Sequence, residues 1–370
     1  MLAASIALSS QAQLSPPRDT TSLLKVHVLT NANGVELRTM NYGGTILGLR
    51  LPDRNGSFED VVLGLSSPER YRSEAYASEA PYLGALIGRY CNRIEGGQFD
   101  LDGHTYQLTT NHGPHHLHGG ETGFDQRLWT AHPFEDDGVG IRYSYASPEG
   151  EEGYPGRLTT TVTYRLRDDN ALVVDYEAHT TAPTPVNLTQ HTYFNLAGHD
   201  AADVLDHRLT IDADHFTPVD ASLIPTGEIR PVAGTPFDFR RPTRIGARLD
   251  TDSRQLRYGN GYDHNFVLNE TGADETVPAL AARAFEPDSG RELTVYTTEP
   301  GVQLYTGNSL SGTLTGKNGA TYDAHSGFCL ETQHFPNSLN EPDFPSTILR
   351  PDETYRSTTI YAFDTRAATS

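Results

Sequence analysis

The chain is short of cysteine, lysine and long apolar runs, and each shortage removes a class of explanation. Cys91 and Cys329 are its two cysteines, too few for a disulfide framework and not at metal-ligand spacing. They read as small buried thiols. No run of about 18 apolar residues occurs, so no transmembrane helix and no membrane partner are expected. Lys25 and Lys317 are the only lysines among 28 basic residues, which face 48 acidic ones for a formal net charge of −20. Neutralising a phosphate backbone takes clustered Lys and Arg. No such cluster occurs along the sequence, and nucleic acid is set aside as a partner. The acidic excess reads as a surface bias, either adaptation to high salt, where screening relieves self-repulsion, or drift in an Arg-favouring genome.

What is present is a chain of 370 residues with a mean hydropathy of −0.50, long enough to bury a large core without staples. Its 34 Gly and 23 Pro are spread throughout, with no Pro/Ser-rich linker and no repeat. The expectation is a flexible tail over 1–20 followed by one domain over 21–370. Met1 to Gln13 carries an apolar stretch and Ser10-Gln11-Ala12 but no positive n-region. A tail and a cytoplasmic location are therefore favoured, with export the alternative if a fuller signal precedes Met1.

Hydrophobic periodicity is close to two in segment after segment. Leu158, Val162, Tyr164 and Leu166 share one face of a strand whose other face is Thr and Arg. Asp168-Asp169-Asn170 supplies the turn, and Leu172, Val174, Tyr176 and Ala178 alternate in a second strand. Phe99 to Leu108 forms a similar hairpin around Asp102-Gly103. Further strands are expected at Leu293 to Thr297, Val302 to Thr306, Phe328 to Thr332 and Thr358 to Phe363. The helical signal is weak, the best being a short helix from Ser67 to Ser73 with Ser67 as N-cap and Pro68 at the first position. This pattern predicts an all-β chain, a large antiparallel β-sandwich.

Three polar clusters interrupt the strands. Gly88 to Ile94 is followed by Asn111 to Gly120, which holds His112, His115, His116 and His118 within seven residues. A metal needs three or four converging ligands, and a Gly/Pro-rich loop does not ensure convergence, so no metal is predicted. The alternative is that Asn92, Arg93 and one or two of these histidines hydrogen-bond a polyhydroxylated ligand, although Arg93 also fits a surface ion pair. In Asn187 to Leu196, an extended backbone puts Asn187, Thr189, His191 and Tyr193 in a polar row away from the core, where His191 still fits a purely structural role. In Gly327 to Gln333, Glu331 shares a face with Cys329 and Gln333, and partial desolvation beside Leu330 would raise its pKa toward general-base range. Tyr262 to Asn265 and Gly301 to Tyr305 add Asp263 and Gln303. No nucleophile elbow, phosphate-binding loop, dinucleotide fingerprint or zinc-protease motif is present. Acid/base work on a neutral sugar fits this inventory, as do several other carbohydrate chemistries.

Taken together, these segments resemble the aldose 1-epimerase (galactose mutarotase) family, in family order over nearly the whole chain. The segments are Asn41-Tyr42-Gly43-Gly44-Thr45, Pro52-Asp53-Arg54 with Asp60 to Gly64, Gly88 to Ile94, Leu117 to Gly120, Glu152 to Gly156, Asn187 to Leu196, Tyr262 to Leu268, Pro300 to Asn308 and Leu330 to Gln333. The resemblance implies a galactose mutarotase-like supersandwich that interconverts the α and β anomers of free D-glucose and D-galactose. It implies Glu331 as general base and His191 as general acid, with Asn92, Arg93, His118, Tyr193, Asp263 and Gln303 on the sugar. No cofactor or metal is implied. The expected partner is a small sugar, and the expected state is a monomer or homodimer. Cys91, His112, His115 and Asp352 depart from the family pattern without touching the acid or base. With His191 protonated while Glu331 is ionised, a bell-shaped pH dependence is expected. The rivals are a hexose-6-phosphate 1-epimerase, which needs cationic groups around the phosphate, a non-catalytic sugar-binding protein of the same fold, and a glycosidase using Glu331 with Asp263.

Overall fold

Alternation becomes sheet at the segments where the sequence carries it. The computed structural model describes residues 23–269 and 277–367; the expected tail over 1–20 lies outside them. Leu158–Leu166 and Ala171–Thr180 pair antiparallel, with Leu158 opposite Thr180. Leu158, Val162, Tyr164 and Leu166 are buried while Thr159 is exposed. The turn closes through Asn170 at φ +62°, with the Arg167 amide donating to Ala171 O at 2.9 Å; Asn tolerates this left-handed conformation better than most residues. The second hairpin pairs Gln98–Leu101 with His104–Gln107 across Asp102 and Gly103, both at positive φ.

These strands enter a nine-stranded antiparallel sheet. Its order is Thr130–Glu135, Val139–Ser147, Leu158–Leu166, Ala171–Thr180, Tyr355–Thr365, Arg291–Thr297, Ala279–Phe285, Arg208–Ile211 and Thr243–Arg244. A five-stranded sheet runs Arg230–Pro231, His215–Phe216, Asp263–Val267, Gly301–Tyr305 and Cys329–Gln333. Val162, Tyr164, Val174 and Val295 of the first sheet share one buried core with Phe266, Val302, Leu304 and Leu330 of the second. Each such side chain contributes about 1.5–3 kcal/mol through its burial. Across this core Thr332 and Thr359 bring their hydroxyls to 2.6 Å. The all-β reading therefore holds, and the four later strands fall where alternation placed them, within one to three residues, the last running Tyr355–Thr365.

The helical expectation is corrected in detail. Pro68–Arg72 is a 3₁₀ turn, and Ser67 makes no capping hydrogen bond. The cap falls at Ser73, whose Oγ accepts from the Tyr76 amide at 3.2 Å to start the α-helix Glu74–Glu79. Six residues give too little periodicity to reveal such a helix in sequence, and Arg254–Gly259 is equally short.

Candidate active site

The inner sheet builds the site by the same period-two rule that builds the core. On its last three strands, Asp263–Val267, Gly301–Tyr305 and Cys329–Gln333, Phe266, Val302, Leu304 and Leu330 point into the core, so their neighbours Asn265, Gln303, Tyr305, Cys329 and Glu331 point the other way. Register aligns them: Asp263 lies opposite Tyr305, Asn265 opposite Gln303, Gln303 opposite Glu331 and Tyr305 opposite Cys329. A cavity of about 520 Å³ covers this face. Thr189–His191, paired with Ala85–Ile87, brings His191 to its edge. Arg93–Ile94 pairs with His116–Leu117 and delivers Asn92, Arg93 and His118.

The cavity thus gathers Asn92, Arg93, His118, His191, Tyr193, Asp263 and Glu331. His191 Nε2 lies 3.8 Å from Glu331 Oε2, and both side chains are almost wholly buried, at 5 % and 3 % exposure. That Glu331 oxygen has no hydrogen-bond partner among the described residues, so it is free to take one from a ligand. His118 is held differently. The Asn92 amide donates to its Nδ1 at 3.2 Å, which leaves the proton of the neutral ring on Nε2 as a fixed donor. Arg93 Nη2 stands 3.7 Å from Asp263 Oδ2, and Asn92 Oδ1 accepts from the Arg93 amide at 3.0 Å. Arg93 is therefore neither a surface ion-pair residue nor a free cation.

Two predicted contacts are placed otherwise. Gln303 does not line the cavity; it lies behind the wall, donating from Nε2 to Asp263 Oδ1 at 2.6 Å. Tyr193 does line it, but its hydroxyl donates to Pro81 O at 2.8 Å, and its ring lies 5.1 Å from that of His191. It offers the cavity a face more than a hydroxyl. The row of Asn187, Thr189, His191 and Tyr193 stands away from the core alternation but is fully buried, because the neighbouring loops cover it.

Burial dominates the electrostatics. It pushes Glu331 well above the usual carboxylate range, reinforced by the Asp263 carboxylate and opposed by Arg93. It pushes His191 down to about 4. His118 is held well below its ordinary value by burial first, then by His191 and Arg93. Burial thus favours neutral His191 with protonated Glu331, the opposite of the protonated His191 and ionised Glu331 expected from the resemblance. A pair that holds one proton keeps it on Glu331, because two desolvated charges cost more than two neutral groups unless a ligand replaces the lost solvation.

The histidine-rich loop does not converge. His116 spends Nδ1 on Thr109 O at 2.7 Å and Nε2 on Tyr154 Oη at 2.6 Å, and His115 Nδ1 accepts from the Gly96 amide at 3.1 Å. Three metal-capable atoms do lie within 4.8 Å of one another, on His118, His191 and Glu331, with the Arg93 charge opposing a cation there. Sequence reasoning missed Tyr82, whose ring centroid lies 4.7 Å from His118 and 5.8 Å from His191. Ala80 and Tyr82 flank Pro81 at φ +42° and +54°, non-Gly conformations that cost about 1–3 kcal/mol each and cluster at functional sites. No local signal announces them. It also missed that Cys329 Sγ lies 3.5 Å from His191 Nδ1, a contact implied by nothing in the spacing.

The chain is similar to known proteins over most of its length. The aldose 1-epimerase family model matches residues 25–362. Galactose mutarotase of Homo sapiens is 50% identical over 324 residues, covering 88% of this chain and 90% of that protein. Aldose 1-epimerase of Escherichia coli K12 is 40% identical over 339 residues, 90% and 94% of the two chains. The solved structure of galactose 1-epimerase from Lactobacillus acidophilus superposes with a TM-score of 0.80 at 31% identity, covering 96% of this chain and 98% of that one. An aldose epimerase homologue from C. elegans gives 0.81 at 30%, covering 92% and 99%. With the match running from the first described strand into the last, the chain belongs to the aldose 1-epimerase family.

Proposed function

We propose that this chain interconverts the α and β anomers of free aldohexoses such as D-glucose and D-galactose, with Glu331 and His191 exchanging protons with the sugar. The observation that carries the assignment is the 3.8 Å approach of two desolvated titratable groups at one wall of a sugar-sized cavity. Ionised Glu331 takes the C1 hydroxyl proton, the O–H electron pair becomes the C1=O π bond, the C1–O5 bond breaks, and O5 takes the Nε2 proton of His191. The pair is then neutral His191 with protonated Glu331, the form that burial favours. Rotation about C1–C2 turns the other carbonyl face to O5. His191 removes the C5 hydroxyl proton as O5 attacks, and Glu331 returns its proton to O1. No proton is gained or lost, so turnover needs no exchange with solvent.

Asp263, Arg93 and Asn92 hold the remaining hydroxyls, which confines change to C1 and the ring oxygen. The Nε2 proton of His118 donates near the reacting atoms, and Tyr82 and Tyr193 present ring faces. Polarimetry on freshly dissolved α-D-glucose or α-D-galactose tests the reading: Glu331→Gln and His191→Asn should each lower kcat by about 10²- to 10⁴-fold. Near wild-type rates in either variant would refute that residue's role, and no acceleration over buffer by the wild type would leave a sugar-binding protein. A phosphorylated substrate is disfavoured because Arg93 is the one Arg or Lys among the described residues lining the cavity, where it faces Glu79, Asp263 and Glu331.

A further inference from the structure

Far along the other sheet, the described residues collect charge of the opposite sign. Leu209, Ile211, Ala282, Ala284 and Leu293 are buried, so alternation turns Arg208, Thr210, Arg283, Phe285 and Glu292 to the outer face. Register places Arg208 opposite Phe285, Thr210 opposite Arg283 and Phe285 opposite Glu292. Arg54 arrives from the loop after Ile46–Pro52, and Arg366 from the residue after Tyr355–Thr365. Together they enclose a cavity of about 330 Å³. It shares no lining residue with the sugar cavity.

Four arginines meet one carboxylate there. Glu292 answers two of them: Arg283 Nε lies 3.6 Å from Oε1, and Arg366 pairs with Oε2. Arg366 also lies 4.9 Å from the Phe285 ring centroid. Arg54 Nη2 donates to Pro287 O at 2.5 Å, but its Nε is buried without a partner. Arg208 has no side-chain partner among the described residues. Convergent guanidinium groups repel one another, and the chain around them carries a formal charge of −20, so this surplus is local and opposite to the whole molecule. Guanidinium forks match phosphate oxygens in geometry as well as charge, and Thr210 adds a hydroxyl.

We propose that this outer cavity binds a phosphomonoester-type dianion, with Arg54, Arg208 and Arg283 on the phosphoryl oxygens and the Phe285 side accommodating an organic group. The volume exceeds that of bare phosphate, which favours an ester over the free ion. The site is independent of the anomer exchange.

Isothermal titration at constant ionic strength, set with KCl, tests it with inorganic phosphate and glucose 6-phosphate as probes. Saturable binding of glucose 6-phosphate is expected, weakened at least about tenfold in Arg208→Ala and in Arg283→Gln, while both variants retain wild-type mutarotation as proof of folding. A lower Kd for glucose 6-phosphate than for phosphate supports the ester, and equal values support the phosphoryl group alone as the ligand. Absence of saturable heat beyond the KCl control, equal affinity in both variants, or displacement by saturating D-galactose would each overturn the site.

Discussion

The two cavities use the same device, charged side chains at alternate strand positions, and reach opposite electrostatic states. In the inner one, Glu331 and His191 are 3 % and 5 % exposed, and burial drives both toward their neutral forms. In the outer one, Arg283 and Arg366 are 44 % and 50 % exposed and pair with Glu292 while solvent still reaches them. A charge that keeps its water is good for holding an ion. A group stripped of water has its pKa moved toward the neutral form, which is how burial tunes a side chain for acid or base work. What covers the sheet face decides which of the two a residue does.

The largest test of that contrast sets Glu331→Gln against Arg208→Ala. The first should lose about 10²- to 10⁴-fold in kcat and the second nothing; equal losses would mean the outer face supports catalysis. Next comes the pH profile of kcat/KM. The working pair holds one proton, which it gains in excess only as His191 titrates near about 4 and loses only where the raised Glu331 ionises. An acid limb near that value and an alkaline limb where Glu331 ionises are expected to bound the profile. Asp263→Asn removes the like charge that raises Glu331, so its alkaline limb should move to lower pH whatever happens to KM. An unmoved limb would show that burial alone sets Glu331.

Smaller effects fall on stability. His116 and His207 are pushed down to about 4 and His264 to about 3 by burial. For groups with lowered pKa values, the stabilisation is present above the unfolded value and lost as pH falls through the folded one. The thermal midpoint should therefore drop by at least about 5 °C between pH 6.5 and pH 4, and differential scanning calorimetry would detect it. Salt should act most weakly. If the excess of acid reflects a high-salt environment, the midpoint rises from low to molar KCl as self-repulsion is screened; a flat or falling trend favours compositional drift.

Much of this was legible because alternation is a local property. Leu158 to Leu166 could be assigned to a half-buried strand, and Asp102-Gly103 to a turn, without knowing their neighbours. Glu331 stood out as an acid on a strand beside Leu330, and the ordered family segments brought in His191, Asn92, Arg93, His118 and Asp263, all of which reach one cavity. Gln303 stood out as well, but one residue of depth separates a cavity wall from its backing, and the pattern of a strand does not record depth. The four histidines of the 112–118 loop were conspicuous by nearness in sequence, yet their ring nitrogens turn to different partners. The outer arginines illustrate the converse. Arg54, Arg208, Arg283 and Arg366 are scattered over the chain, and no clustering could be seen until two strands, a loop and the segment after the last strand brought them together.

By itself, then, the sequence determined the strands, the faces they present, the all-β class and the inventory of acids and bases, since each depends on residues two to ten positions apart. Only the tertiary structure decided which of those groups lose their water. That depends on what packs over a face, and at Glu331 the cover comes from His191, Tyr82 and the loop carrying His118, segments distant in sequence. Desolvation is a property of the cover, and it pushes the Glu331 carboxylate up and the His191 imidazole down from their ordinary values.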